Sequence, residues 1–364
     1  MTEALFRPFR VRGLELANRI VMAPMTRSQA PDGVPGEANA AYYARRAEGG
    51  VGLIITEGTT IDRPGAWNHP AYPHIHGEAA VAGWHKVVDA VHAAGGRIAL
   101  QLWHVGGFAN PRMPECNVEN LESPLGIDGN GEPLGTAMDD AAIEATLAAY
   151  VRGATNAKQI GFDAVEIHAA HGYLLDQFLW ATTNKRTDKW GGGLAERSAF
   201  PAEVVRRVRH AIGNEMPILF RWSQWKQQDY DAELVTSPRE LRTMLAPIVE
   251  AGADIIHCSQ RRYWEPVFPS SDLNLAGWVK QRLDIATIAV GAVGLDIDLQ
   301  ATLSGTQPGL RSIQPLLERL KADEFDLVAL GRTLIANPAW ANLVREGRYE
   351  ALQPFNTGML ANLD

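Results

Sequence analysis

Two histidines and a tyrosine stand close together near the middle of the chain. His168 and His171 are three residues apart, and Tyr173 follows Gly172. Two imidazoles can hydrogen-bond one oxygen atom between them, and a phenol close by can give or take a proton. We therefore predict that this group polarises a carbonyl and protonates a neighbouring atom. The histidine pair could instead bind a metal ion, although the sequence places no third ligand beside it.

The three residues lie at the end of a short apolar run, 164–170, that predicts a buried strand. Seven other runs of this kind are 19–25, 51–57, 97–103, 217–222, 254–259, 287–291 and 326–331. Continuous apolar runs are typical of parallel strands that are covered on both faces.

Helical patterns separate many of these runs. Apolar residues recur at helical spacing in 79–94, 140–159, 196–212 and 237–251, and glycine follows each segment. Alternation of this kind predicts one (β/α)₈ TIM barrel over residues 1–364, with the segment before Arg19 closing its floor. We expect a long loop, 104–139, over the barrel mouth after the third strand and an aromatic-rich loop, 261–274, after the sixth.

The C-terminal ends of barrel strands usually form the active site. Strand seven is followed by Gly291, Ala292 and Val293, and strand eight by Gly331 and Arg332. Glycine lets backbone N–H groups approach an anion, and arginine adds a two-pronged donor, so these residues predict a phosphate site. Ordinary tight turns are the alternative for the glycines.

Two other strand ends carry long polar side chains that need partners when buried. Gln101 could bond the amide edge of a flavin ring, and Arg221 could stabilise negative charge at its N1/O2 end. For Arg221 the alternative is an ion pair with Glu166 inside the barrel.

Composition excludes several classes of function. The 364 residues carry a formal net charge of −8, which argues against binding nucleic acid or an anionic membrane as the main task. The two cysteines, Cys116 and Cys258, cannot build a disulfide framework. No run resembles a signal peptide or a membrane span, so we expect a cytoplasmic protein.

The motifs resemble those of the old yellow enzymes, which are flavin-dependent ene-reductases on a (β/α)₈ barrel. The matching segments are 18–27, 101–104, 168–178, 184–188, 190–192, 330–332 and 337–338. The sequence departs from the family pattern at Gly193 and Glu196, and the stretches 222–228 and 260–265 are less familiar. These stretches lie near the expected mouth, so the substrate preference stays open.

The resemblance implies a role for each matching residue. Pro24, Met25, Thr26, Gly58, Gln101, His168 and Arg221 would contact the ring of flavin mononucleotide (FMN). Gly291, Ala292, Val293, Gly331 and Arg332 would hold its phosphate. His168 and His171 would bind the substrate oxygen, and Tyr173 would donate the proton. We also expect Trp103 and Trp264 beside the substrate.

The function implied is that of a short, FMN-only ene-reductase, since the chain ends soon after strand eight and lacks cluster-binding cysteines. NAD(P)H would reduce FMN, and flavin N5 would then pass a hydride to the β-carbon of an α,β-unsaturated carbonyl, nitro or quinone substrate in a ping-pong cycle. Tyr173 would protonate the α-carbon. The alternative is a metal-dependent TIM-barrel hydrolase that uses His168 and His171. The protein is expected to be a monomer or a homodimer.

Overall fold

Eight parallel strands close into a barrel in the computed structural model, which describes residues 2–109 and 118–364. The strands of this part of the chain are β1 (Phe9–Val11), β2 (Leu14–Leu16), β3 (Ile20–Met22), β4 (Leu53–Ile55), β5 (Thr59–Thr60), β6 (Ile98–Trp103), β7 (Glu122–Ser123), β8 (Thr136–Ala137), β9 (Ala164–His171), β10 (Ile218–Lys226), β11 (Ile255–Ser259), β12 (Ala286–Val290) and β13 (Leu327–Leu330). The barrel runs through β3, β4, β6, β9, β10, β11, β12 and β13, and β13 pairs with β3 to close it. The predicted TIM barrel is confirmed.

Helices cover the outside of the barrel. They are α1 (Glu37–Glu48), α2 (Glu78–Ala93), α3 (Asp140–Ile160), α4 (Leu174–Leu179), α5 (Ala199–Ile212), α6 (Pro238–Glu250), α7 (Leu275–Leu283), α8 (Leu299–Leu303), α9 (Gln314–Lys321), α10 (Arg332–Ala336) and α11 (Trp340–Arg345). Short 3₁₀ turns occur at Glu3–Phe6, Pro31–Gly33, Pro64–Ala66, Glu196–Ser198, Tyr349–Ala351 and Thr357–Leu360. Among the described helices, none combines the length and the apolar character that crossing a membrane requires.

Two predicted regions look different in the structure. The fifth barrel strand, predicted to end at residue 222, continues to Lys226, and its pairing with β9 shifts register between Trp222 and Lys226. Such a bulge bends a strand and redirects its side chains. The loop at 104–139 contains β7 and β8, which pair in parallel. Cys116 lies outside the described residues.

Side chains inside the barrel change from apolar to polar along four neighbouring strands, β6, β9, β10 and β11. In β9, Ala164 belongs to the lower apolar layer, and Glu166 and His168 follow at two-residue intervals above it. The same order occurs in β6 (Ala99, Gln101, Trp103), β10 (Leu219, Arg221, Ser223) and β11 (Ile255, His257, Ser259). Successive residues of a strand face opposite sides, so every second residue points into the barrel. The register between neighbouring strands then brings these polar side chains to the same end of the barrel.

A hairpin covers the opposite end of the barrel. β1 and β2 pair antiparallel, and Leu14 and Leu16 pack against the apolar layer inside the barrel. Gly13 N also donates to Glu215 O at 2.9 Å, which ties the turn of the hairpin to the segment before β10. The segment before Arg19 therefore lies where the sequence predicted it.

Three aspartates connect neighbouring strands at this end. Each directly precedes a strand, and its carboxylate accepts the backbone N–H at or beside the start of the adjacent strand. The pairs are Asp163 with Ile98 (2.8 Å), Asp254 with Ile218 (2.8 Å) and Asp326 with Thr287 (2.9 Å). Asp254 is the most enclosed, and it also forms ion pairs with Arg12 and Arg209. These carboxylates stabilise the register that positions the other end of the barrel.

We expect Asp254→Ala to lower the free energy of unfolding by about 3 kcal/mol, because it removes the carboxylate that pairs with Arg12 and Arg209 and accepts the Ile218 N–H. Urea denaturation followed by circular dichroism measures this change. Glu250→Ala, on the exposed face of α6, is the control and should change the value by less than about 0.5 kcal/mol. An Asp254→Ala protein as stable as the control would contradict the role assigned to this carboxylate.

Candidate active site

A cavity of about 400 Å³ opens at the C-terminal ends of the barrel strands. The predicted site residues that line it are Pro24, Met25, Thr26, Gly58, Gln101, Trp103, His168, His171, Tyr173, Arg221, Gly291, Ala292, Val293, Gly331 and Arg332. The barrel therefore brings together residues that are more than 300 positions apart in the sequence. The volume falls in the range of small-molecule and cofactor sites.

Trp264 is the predicted site residue that the structure does not bring to the cavity. Its ring lies against the guanidinium of Arg311, 3.7 Å from the ring centre, and makes an edge contact with Tyr263. Trp264 is not among the residues that line the cavity.

A buried carboxylate lies below the cavity. Glu166 is fully buried, and its two oxygens accept from Gln101 Nε2 at 2.7 Å and bond His257 Nδ1 at 2.6 Å. Both oxygens therefore have partners other than Arg221, so the predicted alternative of a direct Arg221–Glu166 pair is not what the structure contains. Burial lowers the pKa of His257, although the Glu166 carboxylate opposes this.

Arg221 presents a buried positive charge to the cavity. The side chain is 7% exposed, one nitrogen lies 3.5 Å from Pro24 O, and Nε has no hydrogen-bond partner among the described residues. A buried, unsatisfied donor of this kind is costly unless a ligand completes it. The position therefore fits an electron-rich edge of a bound molecule.

The two histidines are held as neutral rings. Burial, reinforced by the positive charge of Arg221, keeps the pKa of both His168 and His171 well below the usual value. His168 Nδ1 accepts from Ala170 N at 3.3 Å, so the ring proton lies on Nε2 and can be donated. His171 Nε2 lies 2.7 Å from Ser259 Oγ. No group of three or more His, Cys, Asp or Glu side chains in the described ranges could hold a metal ion.

Tyr173 lies directly beside His168. The two rings are 5.0 Å apart at their centres, and Tyr173 also makes edge contacts with Trp103 and Phe108. Gln227 Nε2 donates to the phenol oxygen at 2.5 Å. A donor at this oxygen stabilises the phenolate that remains after proton transfer.

An aromatic wall from β10 and the loop after it was missed by the sequence reasoning. The ring of Trp225 stacks on the ring of His171, with 4.4 Å between their centres, and on the ring of Tyr230, with 5.2 Å between their centres. Gln227 lines the cavity beside them. The signal was present in the mixed aromatic and polar stretch 222–230, but only the bulge directs these side chains towards His171.

The opposite end of the cavity fits a phosphate. Gly291 has φ 147°, and a Cβ there would lie 2.5 Å from Gln260 O, so only glycine fits. Arg332 donates to Ile297 O (2.8 Å), Asp298 O (3.0 Å) and Thr302 Oγ1. Among the described contacts these use three of its five N–H groups and leave two for an anion. The pKa of Arg332 is lowered to about 10 by burial, so the group stays charged at neutral pH.

These residues fit FMN at both ends of the cavity. The unpartnered Nε of Arg221 suits the ring edge that carries negative charge when the flavin is reduced, and Gln101 offers an amide to the ring edge. The glycine turn at 291 and the charged Arg332 suit the phosphate.

Known proteins resemble the chain over almost its whole length. The model of the NADH:flavin oxidoreductase / NADH oxidase family matches residues 4–310. NADH oxidase of Thermoanaerobacter brockii is 32% identical over 360 residues, which are 96% of this chain and 52% of that protein, so the chain spans about half its length. 12-Oxophytodienoate reductase 7 of Oryza sativa subsp. japonica is 33% identical over 92% of this chain and 86% of that protein.

A solved structure agrees with this match. Morphinone reductase in complex with tetrahydroNAD superposes with a TM-score of 0.79 and 30% identity, covering 98% of this chain and 93% of the other. The likeness extends to the cofactors, because the family and this complex indicate FMN and a nicotinamide nucleotide.

We expect Arg221→Met to weaken FMN binding by about tenfold or more, because it removes a charge-assisted hydrogen bond from the buried ring edge. Quenching of FMN fluorescence during titration with the apoprotein measures the Kd. Arg207→Met is the matched control, since Arg207 is a surface residue that pairs with Glu144 and Glu203. Equal Kd values for the two variants would contradict the assignment of Arg221 to the ring.

Proposed function

We propose that the chain, which belongs to the NADH:flavin oxidoreductase / NADH oxidase family and binds FMN, is a reductase that uses NAD(P)H. Its substrates in this proposal are α,β-unsaturated carbonyl and related nitro compounds, whose activated C=C bond it reduces. The observation that carries this proposal is the contact of a neutral histidine with a tyrosine in the cavity. His168 and Tyr173 have ring centres 5.0 Å apart, so one substrate can reach both.

His168 and His171 bind the substrate oxygen in this proposal. Their lowered pKa keeps both rings uncharged, so each acts as a hydrogen-bond donor and not as an acid. His168 donates from Nε2, because Nδ1 accepts from the backbone. In this proposal Ser259 Oγ donates to His171 Nε2, which puts the single ring proton on Nδ1, from where it is donated to the substrate oxygen. Hydrogen bonds from fixed donors stabilise the negative charge that develops on the oxygen as the C=C bond is reduced.

Tyr173 supplies the proton to the α-carbon. Its oxygen accepts from Gln227, and the resulting phenolate keeps that hydrogen bond. Trp103 and Phe108 hold the ring by edge contacts, which limits the directions from which the proton can arrive. A positioned general acid of this kind contributes about 10²–10⁴-fold to the rate.

One cavity serves both substrates in turn. When bound, FMN would supply the redox chemistry that carries a hydride from NAD(P)H to the second substrate. The chain's own residues bind, orient and protonate that substrate. Two of the similar proteins are named as reductases of morphinone and of 12-oxophytodienoate, which supports a carbonyl compound as the acceptor.

The purified protein should be yellow, bleach with NAD(P)H in the absence of air, and recover its colour when cyclohexenone is added. Because the two substrates share one cavity, double-reciprocal plots at several enone concentrations should be parallel. Absorbance spectroscopy and steady-state kinetics check both points. Dithionite followed by cyclohexenone is the control that bypasses the nicotinamide. Reduced protein that cyclohexenone leaves bleached would contradict the proposed function.

Tyr173→Phe should slow reoxidation by cyclohexenone by about 10²-fold or more, because it removes the acid, while reduction by NAD(P)H changes little. Stopped-flow absorbance separates the two half-reactions. Tyr150→Phe makes the same chemical change in the buried part of α3, away from the cavity, and should leave both rates unaltered. If the two variants reoxidise equally fast, Tyr173 is not the proton donor.

A further inference from the structure

A buried ion pair lies directly behind the residues proposed to handle the substrate. Lys226 Nζ is 2.9 Å from Asp176 Oδ2, and both side chains are 0% exposed. Neither residue belongs to the described lining of the cavity. Hydrophobic residues of similar volume often stabilise a protein as much as a buried ion pair does, because they avoid the cost of desolvating two charges. Stability alone therefore does not explain this pair.

Asp176 holds the backbone between the histidine and the tyrosine. Its Oδ2 accepts from Gly172 N at 2.7 Å. Gly172 and the preceding His171 have φ values of 83° and 67°, in the left-handed region that costs energy for histidine. Asp176 is the third residue of α4, where the helix start favours a negative charge. The carboxylate therefore stabilises a strained turn with His171 on one side and Tyr173 on the other.

Lys226 closes the bulge of β10. Its ammonium donates to Ser223 O at 3.1 Å and to Gln224 O at 2.7 Å, in addition to Asp176. An ammonium has three N–H groups, so these three acceptors use all of them. The lysine thus joins the bulge, residues 223–228, to the turn at residues 171–173.

The bulge in turn contacts the substrate residues. Ser223 Oγ accepts from His171 N at 3.0 Å. The Trp225 ring stacks on the His171 ring at 4.4 Å, and Gln227 donates to Tyr173 Oη at 2.5 Å. A change in the bulge therefore shifts both His171 and Tyr173.

We propose that Asp176 and Lys226 are positioning residues, which hold His171 and Tyr173 in place by joining the turn after β9 to the bulge of β10. This inference rests on the proposed function of those two residues. Without the pair, the left-handed turn relaxes and the bulge opens. Most of the residues assigned to FMN are on other strands, so the affinity for FMN is expected to be unchanged.

The charges of the pair depend on each other. Burial raises the pKa of Asp176 to about 6, although Lys226 and the Gly172 N–H oppose this, and burial lowers the pKa of Lys226. Removing Lys226 takes away the main group that keeps Asp176 ionised. A protonated carboxyl is a weaker acceptor for the Gly172 N–H than a carboxylate is.

The test uses the FMN-loaded protein with Lys226→Met and with Asp176→Asn. The probes are 4-hydroxybenzaldehyde, which reports the histidines, and cyclohexenone and dioxygen as alternative oxidants of the reduced protein. We expect the Kd of the phenol to rise by about tenfold and reoxidation by cyclohexenone to slow by about tenfold. Reoxidation by dioxygen, which needs no carbonyl site, and the Kd of FMN should change by less than about threefold.

Two further variants separate positioning from stability. Lys226→Arg keeps the charge and several donors, and it should restore phenol binding to within about threefold of the wild type. Asp254→Asn is the matched control, because Asp254 also joins a backbone N–H to a cation, but at the other end of the barrel. It should lower stability and leave the phenol Kd and both reoxidation rates unchanged.

The proposal is overturned if Lys226→Met and Asp176→Asn bind the phenol as tightly as the wild type does and are reoxidised by cyclohexenone at the wild-type rate. Should these variants fail to fold, the neutral double variant Asp176→Asn/Lys226→Gln, which leaves no unpaired charge, replaces them. Weakened phenol binding there supports the proposal, and wild-type binding overturns it. A wild-type protein that binds the phenol but is not reoxidised by cyclohexenone contradicts the proposed function alone, and the phenol titrations still decide the positioning role.

Discussion

The carboxylate of Glu166 imposes the strongest constraint on the barrel interior. A fully buried anion needs donors, and Gln101 and His257 provide them. Arg221 supplies nearby positive charge without bonding to the carboxylate, so its Nε remains available to a ligand. The same positive charge, together with burial, keeps His168 and His171 neutral. One buried network therefore sets both the cofactor end and the substrate end of the cavity.

The two ends of the barrel use charge differently. At the floor, three aspartates bond backbone N–H groups of adjacent strands, and each of them also pairs with a nearby cation. At the mouth, Arg221 and Arg332 retain donors that no group in residues 2–109 and 118–364 uses. The floor thus supplies stability, and the mouth keeps unsatisfied polar groups for ligands, which is the usual separation in this fold.

The substrate residues depend on an irregular part of the structure. His171 leaves β9 in a left-handed conformation, and β10 has its bulge beside this turn. Backbone of this kind persists only where its surroundings hold it. The Asp176–Lys226 pair, the Ser223 hydroxyl and the stacked Trp225 ring all act on this turn. Regular strands therefore carry most of the residues proposed to bind FMN, whereas the residues proposed to act on the substrate lie beside a bulge and a buried ion pair.

The order of short apolar runs and helical patterns was enough to predict the barrel, because parallel strands covered on both faces must be apolar throughout. Sites at strand ends followed from residue type and spacing, as for His168, Gln101 and Arg332. The sequence could not place Trp225, Gln227 or the Asp176–Lys226 pair, and it placed Trp264 beside the substrate. These positions depend on a two-residue register shift between β10 and β9 and on packing against Arg311. Both arise from contacts between distant parts of the chain that no local pattern encodes.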